Sequence, residues 1–159
     1  MEGLLLSVHV LAGIVFVGGS AVATSLFPRY APVLASVGVG AASGESTPAG
    51  SDERSRAVAL ALHRITRVYG IFGIVVPAVG IALAIAQGRM GEIWIMVSMV
   101  LTAAAGLLLA LQIYPRQRDA LADPDDGTRL RKLSMTAGIY NLLWAIVVVL
   151  MIVRPGAYA

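Results

Sequence analysis

The chain has 159 residues, of which 58% are hydrophobic and 13% charged, with a net charge of +3 and a mean hydropathy of +0.82. A water-soluble domain is about half apolar and about a quarter charged, so much of this surface must face lipid rather than water. The absence of cysteine excludes disulfides, Fe–S clusters, thiolate zinc sites and thiol catalysis.

In chain order, the first apolar stretch runs over residues 4–27. About 20 apolar residues cross a ~30 Å hydrocarbon core, and in lipid such a segment must satisfy its own backbone as a helix. Ala21-Val22-Ala23 resembles a small-residue cleavage site. No basic region precedes it, and Glu2 is acidic, so the segment is read as a retained span rather than a signal peptide. His9 is the only Asp, Glu, Lys, Arg or His within the four spans, and such a residue within a span is a functional candidate. His9, Gly13, Phe16, Ser20 and Ala23 share one stripe at helical spacing. Gly13, Gly19, Ser20, Ala23 and Thr24 offer a small-residue surface for a neighbouring helix.

Phe27-Pro28-Arg29 closes this span. Residues 31–50, rich in Gly, Ala, Ser and Pro, read as a flexible insert. A helix then starts at Ser51 or Asp52 as its cap and carries the basic residues and His63, read as part of a solvated face, into a second span at 68–86. Gly70, Gly73, Pro77 and Gly80 recur there at packing distance, and Pro77 predicts a kink.

After a short turn at 87–92, the third span covers 93–113. Met96, Ser98 and Met99 lie level with His9, which stands ~7.5 Å inside the membrane boundary. Tyr114-Pro115-Arg116 closes this span, and the Asp123–Gly127 run predicts a turn and helix cap. The fourth span covers 135–153 and contains Asn141, expected to bond Gln112 or a backbone carbonyl.

Ten of the twelve basic residues flank the first and third connections; Arg89 and Arg154 lie on the other side. The positive-inside rule puts those connections in the cytoplasm and both termini outside. Basic helix ends meet anionic lipid there, which accounts for the positive charge without nucleic acid. The two aromatic-Pro-Arg signatures, together with Arg64…Gly70-Ile71-Phe72 and Lys132…Gly138-Ile139-Tyr140, suggest two tandem hairpins related by an axis along the membrane normal.

The fold expected is therefore all-α: one integral membrane four-helix bundle over residues 1–159, multi-pass in the inner (plasma) membrane. About 18 residues of helix, ~27 Å, separate the depth of His9 from the inner boundary, on whose cytoplasmic side His63 lies, so the two cannot ligate one iron. His9 with Met96 and Met99 forms a donor set for copper or for the iron of a b-type haem. Gly13, Gly19, Ser20, Ala23, Gly73, Pro77, Gly80 and Asn141 are expected to pack helices.

HVLAGIVFVGG resembles the first-span pattern of the CopD-like group of small bacterial membrane proteins, a His followed by an aromatic and Gly-Gly, with Phe16 where that group usually has Trp. YNLLWAIVVVLMIVRPG resembles the last span of an uncharacterised predicted integral membrane family in the same neighbourhood. The CopD resemblance implies copper handling through His9. More distantly, the chain is similar to HemJ-type protoporphyrinogen oxidases in size, in the first-span His, and in Arg64 and Arg67 opening span 2. Those enzymes also use an intramembrane lysine, whereas the lone lysine here, Lys132, lies outside the spans, so that activity is not expected. The function expected is a non-enzymatic accessory or structural subunit of a larger membrane complex, respiratory complexes included. Its partners would be lipid, other membrane subunits or further copies of the chain. A haem- or copper-binding protein is the alternative, and a dimeric transporter half is a third.

Overall fold

A computed structural model describes residues 2–34 and 49–156. Four helices are long and apolar enough to cross a membrane: α1 (Gly3–Tyr30), α2 (Glu53–Ala86), α3 (Ile93–Ala122) and α4 (Thr128–Val153). Among the described residues there is no strand. Each helix outruns its apolar stretch because charged turns extend it past the hydrocarbon. Large apolar side chains such as Leu4, Leu11, Ile14, Ile74, Ile93 and Ile152 stand exposed on the outer faces, where lipid is the compatible solvent.

Residues 35–48, most of the flexible insert read from the sequence, lie outside the described residues. Its first four residues are placed. Ala31 is buried, Val33 lies beside Gly127, and Leu34 N–H donates to the Asp125 carbonyl at 2.9 Å. The helix leading into α2 runs back to Ala49. Ser51 and Asp52 therefore lie inside it rather than capping it. The Asp125 carboxylate accepts from the backbone N–H groups of Gly127 and Arg129, and Asp126 accepts from Thr128. These bonds satisfy donors that the first turn of α4 leaves open. The Thr128 hydrogen bonds also hold the Asp126 carboxyl below its ordinary range. Gly127 supplies the left-handed φ of +90° that the turn needs.

The helices are not uniform. Pro77 has no N–H for the Gly73 carbonyl, and its ring crowds that oxygen. Accordingly α2 breaks at Gly73–Ile74, and the Gly73 carbonyl accepts from Val76 instead, at 3.2 Å. Gly73 thus serves the break. A Cβ there would stand 2.8 Å from the Tyr69 oxygen of its own helix. In α3 a π-helical segment, Leu109–Ile113, ends two residues before Pro115, whose ring would otherwise meet the Leu111 carbonyl. Neither Pro28 nor Pro115 stops its helix; α1 continues to Tyr30 and α3 to Ala122. A second π segment spans Gly13–Val17 of α1, far from Pro28, so the two halves are not built alike in detail.

Two ends can be distinguished. At the basic end all four helices contribute to one core. Phe27 and Ile113 are fully buried there, with Ala23, Ala59, Leu133 and Tyr140 around them. At the terminal end, which carries the start of α1, the 87–92 turn and the end of α4, the helices pair two by two. There α1 lies on α2 and α3 on α4, with little contact between α2 and α3. A smaller cluster of Ala84, Trp94 and Ile95, with Met90, Met99 and Met151, closes that end.

Small residues let α1 approach its neighbours. The Tyr69 ring lies on Gly19, where an added Cβ would fall 1.9 Å from Cε2. Ser20 and the Tyr140 hydroxyl share a hydrogen bond of 2.7 Å. Phe16 sits edge-on to Tyr69 and stacked with Phe72. A Cβ at Gly13 or Gly18 would meet nothing within 4 Å, so Gly13 carries no close contact. The bond of Asn141 goes to Ser25, at 2.7 Å, rather than to exposed Gln112 or a backbone carbonyl.

Gly19→Ala is expected to overpack the α1–α2 contact and to destabilise the fold by about 1–3 kcal/mol. Gly18→Ala, one position away, should be neutral. Unfolding midpoints of the two variants in detergent check this; equal midpoints would contradict it.

Candidate functional site

The terminal-end pairs leave a cavity of about 420 Å³ between them, walled by all four helices. From α1 come Leu6, His9, Gly13 and Val17; from α2, Val76, Pro77 and Gly80, with Gln87 of the turn that follows. The α3 wall includes Trp94, Ser98, Met99 and Thr102, and the α4 wall Trp144, Val147 and Met151, with Arg154 at the rim. The lining is mostly apolar with a few polar groups, the usual make-up of a small-molecule site.

His9 is fixed rather than loose. Its Nδ1 lies 3.0 Å from the Val76 carbonyl oxygen. A carbonyl only accepts, so Nδ1 carries the hydrogen, and the tautomer this selects has its lone pair on Nε2. That oxygen has two lone pairs, so it can serve its own helix and His9 together. The imidazole fits because residue 80 is glycine: a Cβ there would stand 2.8 Å from His9 Cε1. Among the described residues Nε2 has no hydrogen-bond partner.

The other expected ligands divide. Met99 lines the cavity with His9, as does Met151. Met96, level with them in depth, is 51% exposed and does not line the cavity. Its side chain faces away from His9. Ser98 is buried and donates to the Trp94 carbonyl at 2.7 Å. Among the described residues no three His, Asp or Glu side chains are grouped to hold a metal. The donor set at the cavity is one imidazole and two thioethers. It suits a soft ion such as copper(I), or a haem iron with His/Met ligation.

The rim is polar and ordered. The Trp94 indole N–H donates to the Glu92 carboxylate, which also pairs with Arg89. The Arg89 and Arg154 guanidinium carbons stand 5.6 and 5.9 Å from the Trp94 ring centroid, within cation–π range. The Arg89 hydrogen bond, joined by that of Trp94, holds the Glu92 carboxyl below its ordinary range.

A second polar assembly, at the basic end, corrects the reading of His63 as a solvated residue. Its ring stacks on Tyr114 with centroids 4.9 Å apart, and its Nδ1 lies 3.1 Å from Gln117 Oε1. Gln117 is fully buried, and its Nε2 has no partner among the described residues. One signal for this contact was present: Gln117 stands three residues after Tyr114 and so shares its helix face.

No protein-family model, curated protein or solved structure matches the chain.

Because the Glu92 carboxyl is depressed, the stability it lends the rim is present above its ordinary value of 4.5 and is lost as pH falls through the lower folded value. In a Trp144→Phe background, Trp94 emission should stay constant down to pH 4.5 and shift to the red only below it. Glu92→Gln should abolish the step. A midpoint above 4.5 would contradict the assignment.

Proposed function

We propose that this chain is a non-enzymatic, four-span membrane protein that serves as an accessory subunit of a larger membrane assembly. Its basic connections lie in the cytoplasm and its termini outside. The observation that carries this reading is the seam at the terminal end. The two helix pairs touch little there, and Ile85 of α2 and Ile93 and Val97 of α3 stand exposed. A partner helix laid on these exposed outer faces beside the seam would bury them by van der Waals packing, the force that joins helices in lipid. The sidedness rests on the positive-inside distribution of ten basic residues against two. After solubilisation in mild detergent or native nanodiscs, the protein is expected to run as an oligomer or with membrane partners cross-linked through positions 85, 93 or 97. A lone monomer with no cross-linked partner sinks the proposal.

The His9 geometry favours a second reading, a cofactor-binding membrane protein. A histidine whose Nδ1–H is anchored on a carbonyl presents Nε2 in one orientation, as metal-bound histidines do. His9, Met99 and Met151 would hold copper(I), or two of them a haem; bound there, either group would supply one-electron redox chemistry. For this reading, the protein purified from copper- and haem-replete cells should carry stoichiometric metal or a Soret band. His9→Ala should lose either signal, and Met96→Leu should keep it. Absence of both signals in the unaltered protein removes the reading.

A further inference from the structure

A groove at the basic end, between α1 and α4 and remote from the His9 cavity, has no role in either reading above. Arg29, in the last turn of α1, and Arg131, in the first turn of α4, both line it. Among the described residues neither forms an ion pair; the recorded pairs use Arg89, Arg118 and Arg129. Asp126 feels Arg131 only as the last of the influences on its carboxyl, which is already occupied by Thr128. Among the described residues no carboxylate lines the groove.

Two hydroxyls stand with the two guanidinium groups. Ser25 accepts the Asn141 amide hydrogen, so its own proton is available to another acceptor. Ser134 forms no hydrogen bond among the described residues. Beside them Gly138 has nothing within 4 Å of where a Cβ would lie, which leaves room for a group to sit between the helices. One turn further from the basic end, Val22 and Leu142 stand exposed, on the same helix faces as Ser25 and Gly138 by spacing. The groove therefore passes from cationic and hydroxyl-bearing to apolar along the direction of the helices.

An anionic group with an apolar continuation fits that gradient. We propose that the groove between α1 and α4 binds the phosphate of an anionic membrane phospholipid. Arg29 and Arg131 pair with its charge, Ser25 and Ser134 donate to its oxygens, and one acyl chain lies along Val22 and Leu142. Arginine suits phosphate because its planar fork can donate two parallel hydrogen bonds, and basic pockets between membrane helices are a recurrent way to hold such headgroups. A free phosphate would use the polar half of the groove and leave the apolar half unused.

The test uses the full chain in zwitterionic phosphatidylcholine nanodiscs doped with phosphatidylglycerol. Lipid retained after release is counted by native mass spectrometry. The unaltered protein should retain one phosphatidylglycerol in preference to phosphatidylcholine. Arg29→Gln with Arg131→Gln should weaken that retention roughly 10- to 30-fold. Arg64→Gln with Arg67→Gln removes the same charge from the same end and should leave retention unchanged. Gly138→Leu fills the groove without altering charge and should also lower it. Equal loss in the two arginine pairs would show unspecific attraction and overturn the site. Unchanged retention in Gly138→Leu would do the same. Inorganic phosphate displacing the lipid at equal concentration would overturn the lipid as occupant.

Discussion

The terminal half of the molecule depends on the hydrogen bond between His9 and the Val76 carbonyl. In lipid a polar side chain must find a partner inside the protein or cost several kcal/mol. Two sequence features give His9 that partner. Pro77 and Gly73 interrupt α2 one turn before the contact, and Gly80 removes the Cβ that would collide with the ring. The bond ties α1 to α2 at the depth where neither helix touches α3 closely. The cavity and the seam beside it follow from that pairing.

The two ends obey different packing logic. At the basic end Phe27, Ile113, Leu133 and Tyr140 close a core among four helices, and the polar contacts Ser20–Tyr140 and His63–Gln117 cross between helices inside it. Such contacts fix which faces meet, because an unpaired hydroxyl or amide would be left without water. At the terminal end the spans separate, and the polar groups gather at the rim around Trp94 instead. A closed base with an open far end is the arrangement on which both proposed readings of the terminal end rest.

The positions of the four spans were legible because hydropathy and charge depend only on composition along the chain. Counting residues along the spans gave His9, Met96 and Met99 a common expected depth, and the structure brings His9 and Met99 to one cavity. Which face each presents was not legible. A lipid-facing helix is apolar all round, so periodicity does not separate Met99, at the cavity, from Met96, on the outer surface. The π segment at Gly13–Val17 adds a residue to a turn and shifts the faces after it. The stripe from His9 to Ala23 therefore splits, with His9 and Phe16 meeting α2 and Ser20 meeting α4. His63 was misread for a related reason. Its neighbours Arg64 and Arg67 are exposed, but Leu62 and Thr66 are buried, and a local charge count does not see the helix face between them.

The chemistry of His9 separates its two roles. For bridging α1 to the Val76 carbonyl a donor of the same reach would serve, and an asparagine, whose Nδ2 stands as many bonds from Cβ as Nδ1 does, would bridge without a titratable group. What imidazole adds is a second nitrogen whose lone pair is released by the first bond. Asparagine would leave only an oxygen acceptor, which suits hard cations. An sp² nitrogen beside two thioethers suits soft ones. The structural role therefore accounts for the contact, and the excess chemistry lies at Nε2, beside a cavity that contains Met99 and Met151. Packing and ligation do not compete at this residue, because each uses a different nitrogen of the same ring.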